Sequence, residues 1–206
     1  MFNIAEVDFY GNTDMTIRMI VGLGNPGPEY ELTRHNVGWW FIDNLDGSAR
    51  WNKEAKFQAL VAKARIGNED VMLVKPQTFM NRSGLSVGLI AKFFKMNAEE
   101  ILVVHDELDI HPGQAKLKRS GSTGGHNGLK DIVNALGTQN FWRLRFGIGH
   151  PRDVNAHIPV IDYVLGRPPH DDLNKIEEAI RRAIILMPTI CDGQMEKAMM
   201  TLHSGN

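Results

Sequence analysis

The sequence of 206 residues is poor in cysteine, and Cys191 is the only one it contains. A single thiol excludes an internal disulfide and leaves too few ligands for a cysteine-based zinc site. Long hydrophobic runs are also missing, since no stretch approaches the ~20 apolar residues of a membrane-spanning helix. The first fourteen residues carry three acids and no lysine or arginine, unlike the basic start of a secretory signal. These absences predict a soluble cytoplasmic protein that does not enter a membrane.

An overall excess of charge is absent as well, because 23 Lys and Arg residues face 24 Asp and Glu residues, for a formal net charge of −1. This balance argues against a protein that coats nucleic acid by bulk attraction. The distribution is uneven, however: residues 112–152 contain seven basic side chains and one acidic side chain, Asp131, a local charge of +6. A basic face on a nearly neutral protein fits a phosphate-bearing partner held at one place. An ordinary solvated surface is the alternative.

Internal repeats, low-complexity runs and Pro/Ser-rich linkers are lacking, which favours one domain. A strand-like segment begins near Met15, so we expect residues 15–206 to form the domain and residues 1–14 to be an N-terminal extension ahead of an alternative start. Apolar patterning predicts strands at 16–22, 57–63, 70–75, 101–105, 114–119 and 142–148, and helices at 36–45, 83–94, 128–136 and 173–187. This mixture predicts an α/β domain in which helices cover a largely buried sheet.

The glycines of GLGNPG at 22–27 match the G-x-G-x-x-G dinucleotide-binding fingerprint after a strand. That motif works only if a helix begins inside the glycine run and directs its N–H groups at a pyrophosphate. Pro26 and Pro28 disfavour helical backbone at the residues before them. We therefore predict a sharp loop that presents Asn25 to a cleft, and a nicotinamide-dependent oxidoreductase is a distant alternative.

Polar side chains that could perform chemistry follow the predicted strands or open the helices after them. They are Asn25, His35, Asn36, Asn81, Asp106, His126 and Asn127. Ligands of α/β proteins bind in the crevice beyond the strand ends, so we expect several of these residues to converge. A histidine braced by a carboxylate can take a proton from water, and an asparagine amide can donate to a developing oxyanion. This set favours hydrolysis of an activated acyl bond such as an ester, although composition does not decide whether His35 or His126 is the base.

Other reaction types find less support. A G-x-S-x-G elbow is missing and Cys191 lies away from any histidine-rich loop, so a covalent mechanism has no obvious nucleophile. Residues 105–111 contain histidine and aspartate side chains of the types that bind metals. The adjacent His105 and Asp106 would point to opposite sides of a strand, however, and could not bind the same ion. We predict no metal site and no cofactor.

Six segments in one continuous order resemble bacterial peptidyl-tRNA hydrolases, from about Met15 almost to the C-terminus. They are IVGLGNPGPEYELTRHNVGWWFIDNL at 20–45, KPQTFMNRSG at 75–84, ILVVHDELDIHPGQAKLK at 101–118, GGHNGLKDI at 124–132, FWRLRFGIGHP at 141–151 and DYVLGRP at 162–168. The resemblance implies a monomeric, single-domain, three-layer α/β/α fold with a mixed twisted sheet. It also implies hydrolysis of the ester that joins a peptide, or an N-blocked amino acid, to the 3′-terminal ribose of tRNA, which recycles tRNA from aborted translation. No cofactor or metal is implied.

The same resemblance implies catalytic roles for three residues. His35 matches the base that activates water, Asp106 the acid that orients this histidine, and Asn25 an amide near the scissile carbonyl. The implied partner is peptidyl-tRNA, bound at its acceptor-stem end.

Binding roles are implied in the same way. Tyr30 matches a residue that packs at the 3′-terminal nucleotide. The residues implied to line the peptide groove or hold the peptide main chain are Met80, Asn81, Gly124, His126 and Asn127. Lys118 and Arg145, called the basic pair below, match the cations that clamp the tRNA 5′-phosphate. One departure is the loop SGSTGGHNG, which is less glycine-rich than expected. An RNA-binding module without catalysis is the main alternative from another functional class.

Overall fold

A computed structural model describes residues 15–204, and the predicted extension at 1–14 lies outside the described residues. The strands are β1 (Met19–Gly22), β2 (Asn52–Glu54), β3 (Ala59–Ile66), β4 (Glu69–Pro76), β5 (Ile101–Glu107), β6 (Ala115–Arg119) and β7 (Trp142–Gly147). The helices are α1 (Val37–Leu45), α2 (Ser83–Phe93), α3 (Asn127–Leu136), α4 (Val160–Val164), α5 (His170–Cys191) and α6 (Met195–Ser204). Within this range no helix has the length and apolar character needed to cross a membrane.

The seven strands form one mixed sheet in the order β2-β3-β4-β1-β5-β7-β6. Strands β4, β1, β5 and β7 pair in parallel, whereas β2, β3 and β6 run antiparallel to their neighbours. Helices α1, α4, α5 and α6 contribute to the core on one face, and α2 and α3 to the core on the other. The predicted α/β architecture, a mixed sheet between two helical layers, is confirmed.

The central strands are buried on both faces, which explains their continuous apolar runs. In β5, Leu102 belongs to the core beside α1 and α5, and Val103 to the core beside α2 and α3. Because side chains alternate across a strand, Asp106 lies on the α1 side of the sheet and His105 on the α3 side. Both lie near the carboxyl end of β5.

Two glycines allow α1 to cross β1 closely. A Cβ atom on Gly22 would overlap the carbonyl oxygen of Gly38, and one on Gly38 would overlap the backbone of Leu23. The glycine run therefore has a packing role here, and no helix begins within 22–27, as the two prolines in this loop predict. The next helical turn is the 3₁₀ segment Arg34–Asn36, directly before α1.

The end of α5 differs from the sequence prediction. The sequence predicts that the helix stops before Pro188, but α5 continues through it to Cys191. A proline inside a helix removes one hydrogen bond and crowds the preceding turn. Met187, Ile190 and Cys191 are fully buried on one side of these last turns, and that burial favours the helix over the local preference of proline. The patterns also do not predict β2, α4 or α6.

Candidate active site

The polar residues expected to converge lie at the carboxyl ends of the parallel strands. Asn25 follows β1, and Asp106 is the penultimate residue of β5. His35 lies in the 3₁₀ turn before α1, Asn81 in a 3₁₀ turn before α2, and His126 is the N-cap of α3. Parallel strands bring their carboxyl ends to one edge of the sheet, so tertiary structure gathers residues that are far apart in sequence.

One carboxylate and two imidazoles meet at this edge. His35 Nδ1 lies 2.9 Å from Asp106 Oδ1 and 3.0 Å from Asp106 Oδ2. His126 Nε2 lies 2.9 Å from Asp106 Oδ1. Asp106 is 3% exposed and His35 8% exposed, so the carboxylate is removed from water and is stabilised by imidazole N–H groups instead.

Hydrogen bonding assigns the tautomers of both rings. The Nδ1 atom of His126 accepts the backbone N–H of Leu129 at 3.3 Å, so its ring proton lies on Nε2 and is donated to Asp106. His35 donates its proton from Nδ1 to the same carboxylate, which leaves the lone pair on Nε2. No residue in 15–204 hydrogen-bonds that nitrogen. The geometry therefore favours His35 over His126 as a proton acceptor, a choice that composition alone leaves open.

The electrostatic interactions at the cluster also favour His35 as a proton acceptor. Burial lowers the pKa of His35, but the charge of Asp106 and the hydrogen bond to it outweigh burial and raise the pKa above its ordinary value. Burial raises the pKa of Asp106, but the charges of His35 and His126 and their hydrogen bonds hold it well below its usual range. The carboxylate consequently stays ionised at neutral pH, and the His35 imidazole becomes a stronger base.

The orientation of the Asn25 amide is also fixed by a hydrogen bond. The backbone N–H of Met80 donates to Asn25 Oδ1 at 2.7 Å, which identifies the oxygen and directs Nδ2 elsewhere. Within the described part of the chain, Nδ2 has no acceptor. Asn25 thus offers two N–H donors to a ligand from a side chain that is only 6% exposed.

Asn36, a polar candidate to which the sequence assigns no role, supports this arrangement. Its Oδ1 accepts the backbone N–H of Asn25 at 2.9 Å, and its Nδ2 donates to the Asn25 carbonyl at 3.0 Å. Asn36 is fully buried, so both bonds lie in a water-excluded setting. An asparagine at the start of a helix is also a common cap, so the local pattern alone does not reveal this contact.

The same cluster resembles a metal site by residue type. One ligand atom from each of His35, Asp106 and His126 lies within 4.8 Å of the others. A metal on His126 Nε2 would move the ring proton to Nδ1, where it would oppose the Leu129 N–H that now caps α3. The existing hydrogen bonds fit two imidazole donors on one carboxylate better than a metal centre, and the absence of a metal stays a prediction.

A cavity of about 410 Å³ adjoins the cluster. His35, Asp106 and the segment 123–127 line one part of it, and Val160 and Ile161 of α4 line another. Gly124, His126 and Asn127 are in this way brought beside His35. Two larger cavities, of about 570 and 690 Å³, lie elsewhere and are lined by none of the predicted site residues, so chemistry and not size identifies the site.

Of three further predicted site residues, Asn127 lines this cavity and Tyr30 and Asn81 do not. Tyr30 packs edge-on against the exposed ring of Phe79, with ring centroids 6.3 Å apart, immediately before the turn that carries Asn81. Asn81 and Asn127 are exposed, and the structure of residues 15–204 contains no hydrogen bond from either side chain. Their amides are therefore available to a ligand, whereas Met80 is buried and acts through its backbone N–H.

The basic pair lies on neighbouring antiparallel strands, Lys118 on β6 and Arg145 on β7. Burial lowers the pKa of Lys118, and the nearby charges of Arg145 and Arg143 lower it further. Glu107 offsets part of the positive charge, with its Oε2 atom 3.7 Å from Arg145 Nη1. These three neighbouring cations create a local positive potential that favours a phosphate.

Comparison with known proteins gives a consistent result. A family model described as peptidyl-tRNA hydrolase matches residues 19–206. A Bordetella petrii protein named peptidyl-tRNA hydrolase is 53% identical over 192 residues, which cover 92% of this chain and 91% of that protein. A Cupriavidus metallidurans protein of the same name is 50% identical over 196 residues, with 92% and 99% covered.

A solved structure agrees as well. The crystal structure of peptidyl-tRNA hydrolase from Acinetobacter baumannii superposes with a TM-score of 0.86 at 42% identity, covering 90% of this chain and 94% of that one. The family match spans nearly the whole chain and the fold agrees at high sequence identity. The chain therefore belongs to the peptidyl-tRNA hydrolase family.

Proposed function

We propose that this protein hydrolyses the ester bond between a peptide, or an N-blocked amino acid, and the 3′-terminal ribose of tRNA, with water activated by His35. The observation that carries the proposal is the tautomer of this ring. The Nδ1 proton is donated to Asp106 Oδ1 at 2.9 Å, which leaves the lone pair on Nε2. His35 also lines the cavity of about 410 Å³.

In the first step, Nε2 of His35 takes a proton from water as the water oxygen attacks the ester carbonyl. The imidazolium that forms is stabilised by the ionised Asp106, whose second imidazole partner, His126, keeps the carboxylate in place. The proton then passes to the ribose oxygen as the ester bond breaks. A positioned general base contributes typically ~10²–10⁴-fold to such a rate.

Asn25 is proposed to stabilise the tetrahedral intermediate. Its Nδ2 donors are directed by the bond from Met80 and by the two bonds from Asn36, so they need not reorganise as charge develops on the carbonyl oxygen. A preorganised oxyanion donor contributes roughly 10²–10³-fold. Base and oxyanion donor together are enough for an ester, which is more reactive than an amide.

Substrate binding is assigned to the surrounding residues. The amides of Asn81 and Asn127, with Gly124 beside them, are proposed to hold the peptide main chain, which makes binding independent of peptide sequence. Tyr30 is proposed to pack at the 3′-terminal nucleotide. Phosphate contacts position RNA without reading its bases, and the basic pair is proposed to bind the 5′-terminal phosphate, which carries more charge than an internal phosphodiester.

The test is release of an N-acetylated amino acid from N-acetyl-aminoacyl-tRNA. We expect the wild-type protein to cleave it and His35→Ala to lose roughly 10²–10⁴-fold in turnover with unchanged tRNA affinity. His170→Ala, which changes an exposed histidine at the start of α5, is the matched control and should behave as wild type. Unchanged turnover in His35→Ala would remove the assigned base. Failure of the wild-type protein to cleave, with tRNA still bound, would favour the alternative of an RNA-binding module.

The proposal includes a monomer that needs no metal and no cofactor. We expect sedimentation of the free protein to give one chain and the hydrolysis rate to survive removal of divalent ions by EDTA at fixed ionic strength. Loss of activity that zinc or another transition ion restores would contradict the metal-free mechanism.

A further inference from the structure

Arg143 is a buried cation near the start of β7. Its residue is 1% exposed, and a buried charge is costly unless hydrogen bonds compensate it. Nη1 donates to the Ser122 carbonyl at 2.7 Å, and Nη2 donates to the Gly121 carbonyl at 2.8 Å. In the described part of the chain Nε has no partner and no carboxylate forms an ion pair with this guanidinium. Both terminal nitrogens of the guanidinium therefore donate to carbonyls of one loop, residues 120–125.

This loop does not hold its own conformation by regular structure. Ser120, Gly121, Gly124 and Gly125 have φ values of 62°, 99°, 57° and 80°, a left-handed region that is unfavourable for serine. A Cβ atom on Gly124 or Gly125 would meet nothing within 4 Å, so packing does not support the tip of the loop. The bonds from Arg143 are near its start, where two consecutive carbonyls point toward the sheet.

The loop connects two parts of the proposed site. It begins just after Lys118, whose side chain lies against Gly121, and it ends at His126 and Asn127. Residues 123–127 line the cavity beside His35, and His126 donates to Asp106. A displacement at the start of the loop would therefore be transmitted both to the basic pair and to the acyl-binding edge of the cavity.

We propose that Arg143 is a positioning residue that anchors the loop 120–125 through its two-pronged hydrogen bonds, and that it acts on catalysis through this loop and not as an RNA contact. The inference rests on the proposed function, because it assigns the loop its importance. The competing explanation is that Arg143 contributes only positive charge beside Lys118 and Arg145.

Two substitutions separate these explanations. Arg143→Lys keeps the charge but replaces the rigid fork by a single ammonium group, which cannot reproduce the planar bidentate geometry. Arg143→Met keeps much of the apolar stem and removes the charge. Anchoring predicts that both variants fail alike, whereas a charge effect predicts that Arg143→Lys stays close to wild type. Arg119→Lys is the matched control, because this exposed arginine on β6 donates to Asn140 and not to the loop.

The first measurement is amide hydrogen exchange in residues 121–126 of the tRNA-free protein, which does not depend on activity. We expect at least ten-fold faster exchange in Arg143→Lys and Arg143→Met, and no change in Arg119→Lys. The second is kinetics with N-acetyl-aminoacyl-tRNA, in which kcat should fall at least ten-fold in both variants while the Kd for tRNA changes less than three-fold.

The proposal is overturned if Arg143→Lys retains wild-type exchange and kcat, or if loop exchange is unchanged in both variants whatever their thermal stability. If neither variant folds, the proposal can be tested on the wild-type protein. The Nη protons of Arg143 should exchange with solvent far more slowly than those of exposed arginines. Fast exchange of these protons would overturn the proposal. Failure of the wild-type protein to cleave the ester would instead refute the proposed function and leave the exchange result standing.

Discussion

Asp106→Asn tests the central hydrogen-bond network with a change of one atom. In the native protein Oδ1 accepts from His35 and His126, both at 2.9 Å, and Oδ2 accepts from His35 at 3.0 Å. An asparagine has one oxygen and one NH₂ group. Whichever way it is turned, the NH₂ group faces an N–H of at least one imidazole. The strain is relieved when His35 moves its proton to Nε2 and accepts from the asparagine at Nδ1.

That tautomer has no lone pair directed at water, so the base is lost although the fold is kept. Loss of tautomer control in a carboxylate–histidine pair lowers kcat by roughly 10⁴-fold, equivalent to about 5 kcal/mol of transition-state stabilisation. The substitution also removes the charge that raises the pKa of His35. The rate remaining in Asp106→Asn should therefore fall on acidification at a lower pH than the wild-type rate does, because the His35 ring is protonated only at a lower pH.

The assay is single-turnover cleavage of N-acetyl-aminoacyl-tRNA between pH 5 and 9, with tRNA affinity measured separately. Asp109→Asn is the control, because Asp109 is exposed, pairs with Arg152 and lies outside the cluster. We expect Asp109→Asn to match wild type and Asp106→Asn to lose rate with little change in affinity. A defect confined to affinity, or an acidic limb that stays in place, would refute the tautomer argument.

Four further outcomes follow from the same geometry. His126→Asn should lower kcat about ten-fold, much less than His35→Ala, since His126 Nε2 only donates to the carboxylate; an equal loss would reopen the choice of base. Asn36→Ala removes two buried hydrogen bonds and should cost about 1–3 kcal/mol in the free energy of unfolding, together with a fall in kcat/KM, both absent in the exposed control Asn44→Ala. Lys118→Met should raise KM and reduce the salt slope of tRNA binding by about one, and an unchanged slope would argue against a phosphate contact. Folding raises the pKa of His35, so the protonated ring stabilises the folded protein. This contribution to the free energy of unfolding is complete below the unfolded pKa of about 6.5 and is lost as the pH rises through the folded pKa. In urea unfolding, the stability difference between wild type and His35→Ala should therefore shrink above neutrality.

Most of the architecture was predictable from local sequence patterns. Continuous apolar runs such as that of β5 occur where a strand is buried on both faces, and helical spacing in 83–94 and 128–136 identified the two helices of one layer. The prolines around Gly27 correctly predicted that no helix begins in the glycine run, because their effect on backbone dihedrals is local. The prediction that the helix ends before Pro188 was wrong, because the burial of Met187 and Ile190 in the core outweighs the local preference of proline. Sequence patterns do not reveal this burial.

At the site, the sequence predicted the residues, and the tertiary structure decided their relations. The choice between His35 and His126 depends on which ring nitrogen meets the Leu129 N–H and which meets Asp106, a residue 71 positions from His35 and 20 from His126. The clamp of Asn36 on Asn25 and the anchor of Arg143 on Ser122 are likewise contacts between different elements. Composition and periodicity report a residue's own environment along the chain, whereas a hydrogen bond is fixed only when folding brings donor and acceptor within about 3 Å in the right orientation.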